Sequence, residues 1–187
     1  MTQEEKIDYI IADTDKNYNP YYSSIPNLIR TNNYKRGIEI GVFCGGHAKK
    51  ILETGAELIG IDTYEMYQPG MPLMDSQSDW QMLYEKVMER LKGNYTHMRM
   101  TSDQAFEVLK EQMFDFVFID GLHTYEQLKR DMENYSQIIR EGGVISMHDY
   151  NHPYFPELTV AINEFVAEHH ARLVICPLHL VYLIKNW

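Results

Sequence analysis

The stretch that decides the fold runs from Phe116 to Asn151 and reads FVFIDGLHTYEQLKRDMENYSQIIREGGVISMHDYN. Its first four residues are aromatic or β-branched, which is typical of a parallel strand buried on both faces. A helix is predicted next, because Thr124 stands three residues before Gln127, the spacing of a capping box. Apolar residues then recur at helical spacing as far as Ile139. The stretch therefore begins as a strand followed by an amphipathic helix.

Two glycines and a second apolar run complete the unit. Gly142–Gly143 are expected to end the helix, and Val144–Met147 to form the next strand. A strand–helix–strand unit has a right-handed crossover and parallel strands. The polar residues that follow the two strands, Asp120 and His148–Asp149, are therefore predicted to meet at one carboxyl edge of the sheet, where such sheets bind ligands.

Carboxylates at two neighbouring strand ends predict a metal site. Asp120 and Asp149 would lie on strands about 4.8 Å apart, and carboxylate oxygens are ligands that Mg²⁺ prefers. His148 is a candidate third ligand, which would shift the preference toward Mn²⁺ or another transition ion. His123 is expected to face the same cavity, and its unperturbed pKa of about 6.5 suits a general base. The remaining histidines lack such partners and are assigned structural or surface roles; they are His47, His97, His152, His169, His170 and His179.

The composition predicts an acidic single-domain protein of the cytoplasm. Of its 187 residues, 17 are basic and 27 acidic, which gives a formal net charge of −10. No basic cluster is present, which argues against nucleic acid or an anionic membrane as partner and favours a small molecule. Cys44 and Cys176 have no metal-binding or CxxC spacing, so reduced thiols are expected. Residues 1–10 are polar and no run of eighteen apolar residues occurs, while homo-oligomerisation is left open.

A second unit precedes the first along the chain. Residues 37–42, GIEIGV, are predicted to form a strand that enters a glycine-bearing turn and the helix 47–53. Residues 58–61 form the next strand, which ends at Asp62. Glu39 and Asp62 are separated by about the twenty residues at which an acid after the second strand can meet a ribose over the first turn.

The glycine pattern distinguishes between nucleotide ligands. The dinucleotide pattern GxGxxG would require glycine where Phe43 stands, and GxxxxGK[ST] is absent because His47–Ala48 follow the last glycine. The pattern that remains is Glu39-x-Gly41-x-x-x-Gly45-Gly46, with Asp62 further on. It resembles the first motif of class I S-adenosylmethionine-dependent methyltransferases. An acid before the turn suits that ligand, because S-adenosylmethionine carries an ammonium and a sulfonium instead of a pyrophosphate.

The resemblance implies cofactor contacts at several strand ends. The adenine is expected beyond the third strand, 95–100, where residues 101–104 equally fit a helix cap before the helix 105–112. The implied cofactor-binding residues are Glu39, Gly41, Phe43, Gly45, Gly46, Asp62, Thr63, Ser102, Asp103 and Asp120.

Motifs within residues 116–151 make the resemblance specific to one family of methyltransferases. The motifs Ile119-Asp120-Gly121-Leu122-His123-Thr124-Tyr125, Lys129-Arg130-Asp131, Gly142-Gly143 and His148-Asp149-Tyr150 resemble family-24 class I methyltransferases and, more distantly, the macrocin O-methyltransferase group. The likeness spans residues 37–150. It implies metal ligands at Asp120, His148 and Asp149, with His148 standing where relatives carry an acid, and a base at His123.

The flanking segments are expected to shape the acceptor pocket. Residues 1–35 are predicted to be a helical cap, 63–79 an insertion that could act as a lid, and 151–156 a loop at the same edge of the sheet. The Tyr-rich connector Tyr18–Tyr22 fits either a loop over the ligand or surface packing. Strands 172–176 and 178–184, joined through Pro177, would close the sheet.

Together these features predict a Rossmann-like α/β fold in one domain over residues 1–187. Its sheet is doubly wound, seven-stranded and mostly parallel, with an antiparallel carboxyl-terminal hairpin. The resemblance implies S-adenosylmethionine-dependent O-methylation of a sugar or sugar-bearing small molecule, with Asp120 and His123 as catalytic residues and Mg²⁺ or Mn²⁺ in support. Two alternatives stay open: a cofactor-binding protein without methyl transfer, such as a hydroxylation-pathway subunit, and a dinucleotide-dependent oxidoreductase.

Overall fold

A computed structural model describes residues 1–18, 23–66 and 74–187 of the chain. Its seven strands are β1 (Arg36–Ile40), β2 (Glu57–Ile61), β3 (Tyr95–Met98), β4 (Phe114–Ile119), β5 (Ile139–Met147), β6 (Val174–Ile175) and β7 (Val181–Ile184). The helices of the described residues are α1 (Gln3–Tyr18), α2 (Ser24–Asn32), α3 (Gly46–Leu52), α4 (Gln77–Arg90), α5 (Ser102–Leu109), α6 (Tyr125–Gln137) and α7 (Pro156–Glu168).

The strands form one sheet in the order β3-β2-β1-β4-β5-β7-β6. The first five strands along the chain pair in parallel, whereas β7 lies antiparallel between β5 and β6. The order reverses between β1 and β4, which makes the carboxyl ends of these two strands the switch point where doubly wound sheets bind ligands. The predicted fold class and its antiparallel carboxyl-terminal hairpin are confirmed.

Helices cover both faces of the sheet and bury two apolar cores. The core beneath α1–α4 includes Ile7, Ile25, Ile51, Leu83 and Val87. The core beneath α5–α7 includes Ala105, Met132, Tyr135, Ile162 and Phe165. Strand β4 contributes to both cores, because alternate residues of its run FDFVFI point to opposite faces. This double burial explains why its sequence is almost continuously apolar.

The boundary between α6 and β5 differs from the prediction. The helix ends at Gln137 and the strand already begins at Ile139, so Gly142–Gly143 lie inside the strand and do not end the helix. Ile139 pairs with Phe114, after which the register shifts. Gly142 adopts φ +76°, and a Cβ on Gly143 would approach the Asp115 carbonyl oxygen to 2.6 Å. The glycines therefore serve a strand irregularity, which sequence spacing alone does not distinguish from a helix stop.

Further boundaries also differ from the prediction, among them those of the helix expected over residues 105–112, which is observed as α5. Helix α4 begins at Gln77, three residues inside the expected insertion 63–79, because Ser76 and Asp79 form a complete capping box. The closing hairpin has shorter strands than expected, since Leu178 and His179 adopt left-handed conformations in its loop. The central part of the insertion and residues 19–22 of the Tyr-rich connector lie outside the described residues.

No helix within the described ranges combines the length and the apolar character needed to cross a membrane.

Candidate active site

Four ionisable side chains converge at the carboxyl ends of β4 and β5. His123 Nε2 lies 2.7 Å from Asp149 Oδ2 and 3.4 Å from Asp120 Oδ1. His148 Nδ1 lies 3.1 Å from Asp149 Oδ1 and 3.7 Å from Asp120 Oδ1. Asp120 follows β4 directly and His148–Asp149 follow β5, so the parallel pairing of these strands brings the residues together as the sequence predicts.

The two carboxylates change the protonation of His123. Burial alone would lower its pKa, but hydrogen bonds and charge from Asp120 and Asp149 outweigh burial and raise the pKa to about 10. Two unit charges about 4 Å apart interact by about 4 kcal/mol at an effective dielectric constant near 20, which corresponds to about three pKa units. Burial opposes the ionisation of Asp149, yet hydrogen bonds from His123 and His148 hold its pKa well below the usual range. The assumption of an unperturbed His123 is therefore wrong for the metal-free cluster.

Three of these residues could hold a metal ion. One ligand atom each from Asp120, His123 and Asp149 lies within 4.8 Å of the others. Carboxylate oxygens with an imidazole nitrogen suit Mn²⁺ or Mg²⁺. His148 lies beside this group and contacts the same two carboxylates. The sequence predicts His148 as the ligand and His123 as the base, whereas in the structure His123 lies nearer to Asp149 than His148 does.

An aromatic loop packs against His123. The Phe155 ring stacks on the His123 ring, with 4.6 Å between centroids and 23° between planes. His152 stacks on Phe155 at 5.3 Å and meets His179 edge-on at 4.9 Å. Tyr154 is 82% exposed. The loop 151–155 thus places aromatic surface next to the ionisable cluster, and His152 and His179 have ring partners that the sequence did not reveal.

The glycine turn after β1 is held by Asp62. The backbone N–H groups of Val42 and Phe43 donate to Asp62 Oδ2 at 2.9 and 3.0 Å, and Tyr64 N–H donates to Oδ1 at 2.9 Å. The Tyr64 hydroxyl donates to the Phe43 carbonyl at 2.8 Å. The carboxylate predicted to meet a ribose is therefore also the group that fixes the turn, and it connects the ends of β1 and β2.

Glycine is required where this turn meets β4. A Cβ on Gly41, at φ +83°, would lie 2.0 Å from the Asp120 carbonyl oxygen. Gly45 adopts φ +70° at the start of α3, and Gly46 is that helix's first residue. The turn therefore runs against the residue that begins the ionisable cluster, and the predicted cofactor side and reaction side are in contact.

Glu39 is a buried acid behind the turn. It is 1% exposed, and its Oε1 lies 2.8 Å from His47 Nδ1. Its Oε2 is buried without a hydrogen-bond partner among the described residues. Burial raises the pKa of Glu39. A buried carboxylate oxygen without a donor is costly unless a ligand supplies one.

The residues after β3 begin α5. Thr101 and Gln104 form a capping box, so the cap alternative is correct for these two residues. The Ser102 hydroxyl faces α6, and Asp103 is half-exposed and 3.7 Å from Arg130. Thr63, after β2, caps the Glu65 amide with its hydroxyl at 3.2 Å.

Sequence reasoning missed several supporting residues. His47 was judged to be without partners, yet it binds Glu39, which lies eight residues earlier on another element. His97 bridges Tyr95 and the Asp62 carbonyl at 2.9 and 3.2 Å, and burial lowers its pKa. The contacts of His47 with Glu39 and of His97 with Asp62 join residues on different elements, so no helical or strand spacing signals them. In the sequence, Asp131 is indicated as a candidate only by its place in the Lys129-Arg130-Asp131 motif of the family resemblance.

Comparison with known proteins places the chain among methyltransferases. Residues 38–150 match the model of a methyltransferase domain, family 24. The chain is also 28% identical over 139 residues to uncharacterized protein R132 of Acanthamoeba polyphaga mimivirus. That alignment covers 70% of this chain and 59% of the viral protein, so the chain spans less than two thirds of that relative's length.

Solved structures with the same fold are O-methyltransferases by name. A Staphylococcus aureus protein provisionally described as a caffeoyl-CoA O-methyltransferase superposes with a TM-score of 0.72 at 14% identity, over 94% of this chain and 92% of that one. The calicheamicin methyltransferase CalS11 gives 0.69 at 12% identity, over 99% and 92%. An O-methyltransferase from Bacillus cereus, solved with S-adenosylhomocysteine, gives 0.67 at 13% identity, over 98% and 90%. At these identities the likeness establishes the fold.

Proposed function

The chain belongs to the family-24 methyltransferase domain family, and from this premise we propose that it transfers a methyl group from S-adenosylmethionine to a hydroxyl group of a small molecule. The observation that carries the cofactor assignment is the buried Glu39 Oε2, which has no donor among the described residues. An ammonium group supplies the missing donor and a compensating charge. S-adenosylmethionine carries such a group, whereas a dinucleotide would bring a pyrophosphate to the same turn.

The cofactor would lie along the carboxyl ends of β1, β2 and β3. Glu39 would face its ammonium, the turn from Gly41 to Gly46 would allow close backbone approach, and Asp62 would lie nearest the ribose. The adenine would then lie at the amino terminus of α5, beside Ser102 and Asp103. The Bacillus cereus O-methyltransferase with the same fold was solved with the demethylated cofactor, which supports this assignment.

The reaction side would be formed by Asp120, His123, His148 and Asp149. When bound, the cofactor supplies an electrophilic methyl group on a sulfonium. His123 is the candidate base, but the raised pKa of about 10 means that it is protonated at neutral pH in the metal-free cluster. A divalent cation held by Asp120, His148 and Asp149, with His123 outside its coordination shell, would take over the carboxylate charge that stabilises the imidazolium and thereby lower the pKa of His123. The chain's own residues then provide a neutral imidazole that accepts the proton of the acceptor hydroxyl.

The acceptor is proposed to be a sugar or a sugar-bearing metabolite. CalS11, which shares the fold, is described as a TDP-rhamnose 3′-O-methyltransferase. In this chain, the exposed Tyr154 and the partly exposed His152 offer ring surface beside the ionisable cluster. Such surface suits the apolar side of a pyranose, while the carboxylates and histidines suit its hydroxyl groups.

The decisive experiment is calorimetric titration with two compounds that are derived from the cofactor, S-adenosylhomocysteine and 5′-methylthioadenosine. S-adenosylhomocysteine retains the amino-acid end, whereas 5′-methylthioadenosine lacks it. We expect Glu39→Gln to weaken S-adenosylhomocysteine by tenfold or more, the loss expected for a charge-assisted hydrogen bond, and to leave 5′-methylthioadenosine unchanged. The matched control is Glu57→Gln, an exposed acid at the opposite end of the neighbouring strand.

Each outcome of this titration is informative. Absence of S-adenosylhomocysteine binding at hundreds of micromolar, with or without Mg²⁺, would overturn the cofactor assignment. Unchanged binding in Glu39→Gln would remove Glu39 from the cofactor site. Tight binding without methyl transfer to any sugar nucleotide would instead favour the non-catalytic alternative.

A further inference from the structure

One face of α6 is directed at the amino terminus of α5. Gln127, Asp131 and Tyr135 are spaced four residues apart, so they form a single row along the helix. All three reach the same residue, Ser102, the first of α5. The row is polar, although α6 otherwise buries an apolar face.

The contacts hold the hydroxyl and the carbonyl of Ser102. Gln127 Nε2 lies 3.1 Å from the Ser102 hydroxyl oxygen and 3.0 Å from Asp131 Oδ1. The Asp131 carboxylate is near enough to the Ser102 side chain for that hydroxyl to oppose the rise in its pKa. The Tyr135 hydroxyl donates to the Ser102 carbonyl at 2.7 Å. The first residue of α5 is therefore fixed from the side by a neighbouring helix.

Asp131 is the centre of this row. It is 1% exposed, and burial raises its pKa to about 6, so the carboxylate is ionised at pH 8 and can accept hydrogen bonds. Arg130 donates to Gln127 Oε1 at 2.6 Å, which orients the Gln127 amide with its nitrogen toward Asp131 and Ser102. A buried acid in an amphipathic helix is costly, and the proposed methyl transfer assigns it no role.

We propose that Gln127, Asp131 and Tyr135 position the amino terminus of α5 for the nucleoside part of the cofactor, with Asp131 as the central positioning residue. The capping box uses the amide of Gln104, whereas the amides of Ser102 and Asp103 have no partner within the helix. Fixing Ser102 fixes the direction of these two amides toward the cofactor side. The proposal rests on the proposed function, because it takes the cofactor to lie at this helix end.

Helix α6 also lies next to the ionisable cluster. Thr124 caps α6 one residue after His123, and Asp131 lines a small cavity together with Asp120, His123 and Asp149. The row thus lies between the helix end assigned to the nucleoside and the ionisable cluster.

The test compares Asp131→Leu with Asp131→Asn by calorimetry. The leucine variant keeps the approximate volume and removes the acceptor, whereas asparagine keeps an acceptor oxygen for Ser102 or Gln127. We expect Asp131→Leu to weaken 5′-methylthioadenosine and S-adenosylhomocysteine by the same factor, tenfold or more, and Asp131→Asn to stay within threefold of the wild type. This pattern differs from that expected for Glu39→Gln, which weakens S-adenosylhomocysteine and spares 5′-methylthioadenosine. Glu133→Leu, on the exposed face of α6, is the matched control and should bind both ligands as the wild type does.

Three results would overturn the proposal: wild-type affinity for 5′-methylthioadenosine in Asp131→Leu, a loss confined to S-adenosylhomocysteine, or equal losses in the leucine and asparagine variants. If Asp131→Leu does not fold, Tyr135→Phe removes only the hydroxyl that binds the Ser102 carbonyl. It should weaken both ligands by threefold or more, and unchanged affinity there would equally overturn the proposal. A wild-type protein that binds neither ligand would instead refute the proposed function.

Discussion

At the scale of single residues, the pair formed by His123 and Asp149 makes stability depend on pH in a defined window. The folded pKa of His123 is about 10 and its unfolded value about 6.5, so its contribution is fully present below 6.5 and is lost as pH rises through 10. The folded pKa of Asp149 is lowered, so its contribution is present above about 4 and is lost as pH falls. The ion pair therefore stabilises the metal-free protein between about pH 4 and pH 10.

We expect His123→Gln to lose on the order of 3 kcal/mol of unfolding free energy at pH 7, because the largely buried charge of Asp149 loses the closer of its two histidine partners. The measurement is urea unfolding with a chelator at several pH values, and the quantity of interest is the difference between wild type and variant. That difference should shrink as pH approaches 10. The control is His170→Asn, because His170 is exposed and adopts a left-handed conformation that asparagine tolerates. A difference that stays constant from pH 7 to pH 10 would contradict the raised pKa of His123.

Some of the candidate site residues could be predicted from the sequence, whereas their protonation and some of their partners could not. Asp120, His123 and Asp149 follow directly from strand ends in a parallel unit, so topology alone brings them together. Their protonation could not be predicted, because it depends on distances of 2.7 and 3.4 Å that no spacing rule supplies. The partner of Glu39 was missed for a similar reason, since His47 meets it from a different element.

At the scale of elements, the turn between β1 and α3 depends on a close approach between two backbone segments. We expect Gly41→Ala to lower the free energy of unfolding by more than 3 kcal/mol or to prevent folding, because its Cβ would meet the carbonyl of Asp120, whose own N–H is bound to the Ile40 carbonyl. Thermal or urea unfolding provides the measurement, with soluble yield as a second readout.

The chain offers a matched control for Gly41. Gly55 has φ +86°, nearly the φ +83° of Gly41, but a Cβ there would find no atom within 4 Å. Gly55→Ala should therefore cost only the left-handed strain of about 1–2 kcal/mol. Equal losses in the two variants would show that backbone strain, and not contact with Asp120, explains the requirement for glycine at position 41.

Boundaries of elements were less predictable than their existence. The apolar runs predicted the parallel strands, because burial on both faces leaves a strong pattern. The end of α6 was misplaced because glycine both ends helices and permits strand irregularities, and only the pairing of Ile139 with Phe114 distinguishes these cases. The start of α4 was recoverable in principle, since Ser76 and Asp79 have capping spacing, although an acid other than Glu made the signal weaker.

At the scale of the whole molecule, the amino-terminal helix is joined to the glycine turn after β1 through α4. Arg90 Nη2 lies 2.6 Å from both carboxylate oxygens of Asp15 on α1, while Nη1 donates to the Cys44 carbonyl at 3.2 Å. Cys44 belongs to the glycine turn, and its thiol accepts from the Thr14 hydroxyl at 3.5 Å. One planar guanidinium therefore connects α1, α4 and the turn.

This arrangement predicts that Arg90→Lys loosens α1 without unfolding the sheet. An ammonium group is a compact point charge and cannot span the carboxylate and the carbonyl as the guanidinium does. The expected cost is about 1–2 kcal/mol, so amide hydrogens of α1 that exchange by local opening should exchange about five- to thirtyfold faster. Mass spectrometry of hydrogen exchange can compare α1 with α6, whose exchange should stay unchanged. Arg30→Lys, an exposed arginine on α2, is the control. If α1 and α6 accelerate together, Arg90 stabilises the whole fold and α1 is not a separately docked element; if neither changes, the contact contributes little to docking.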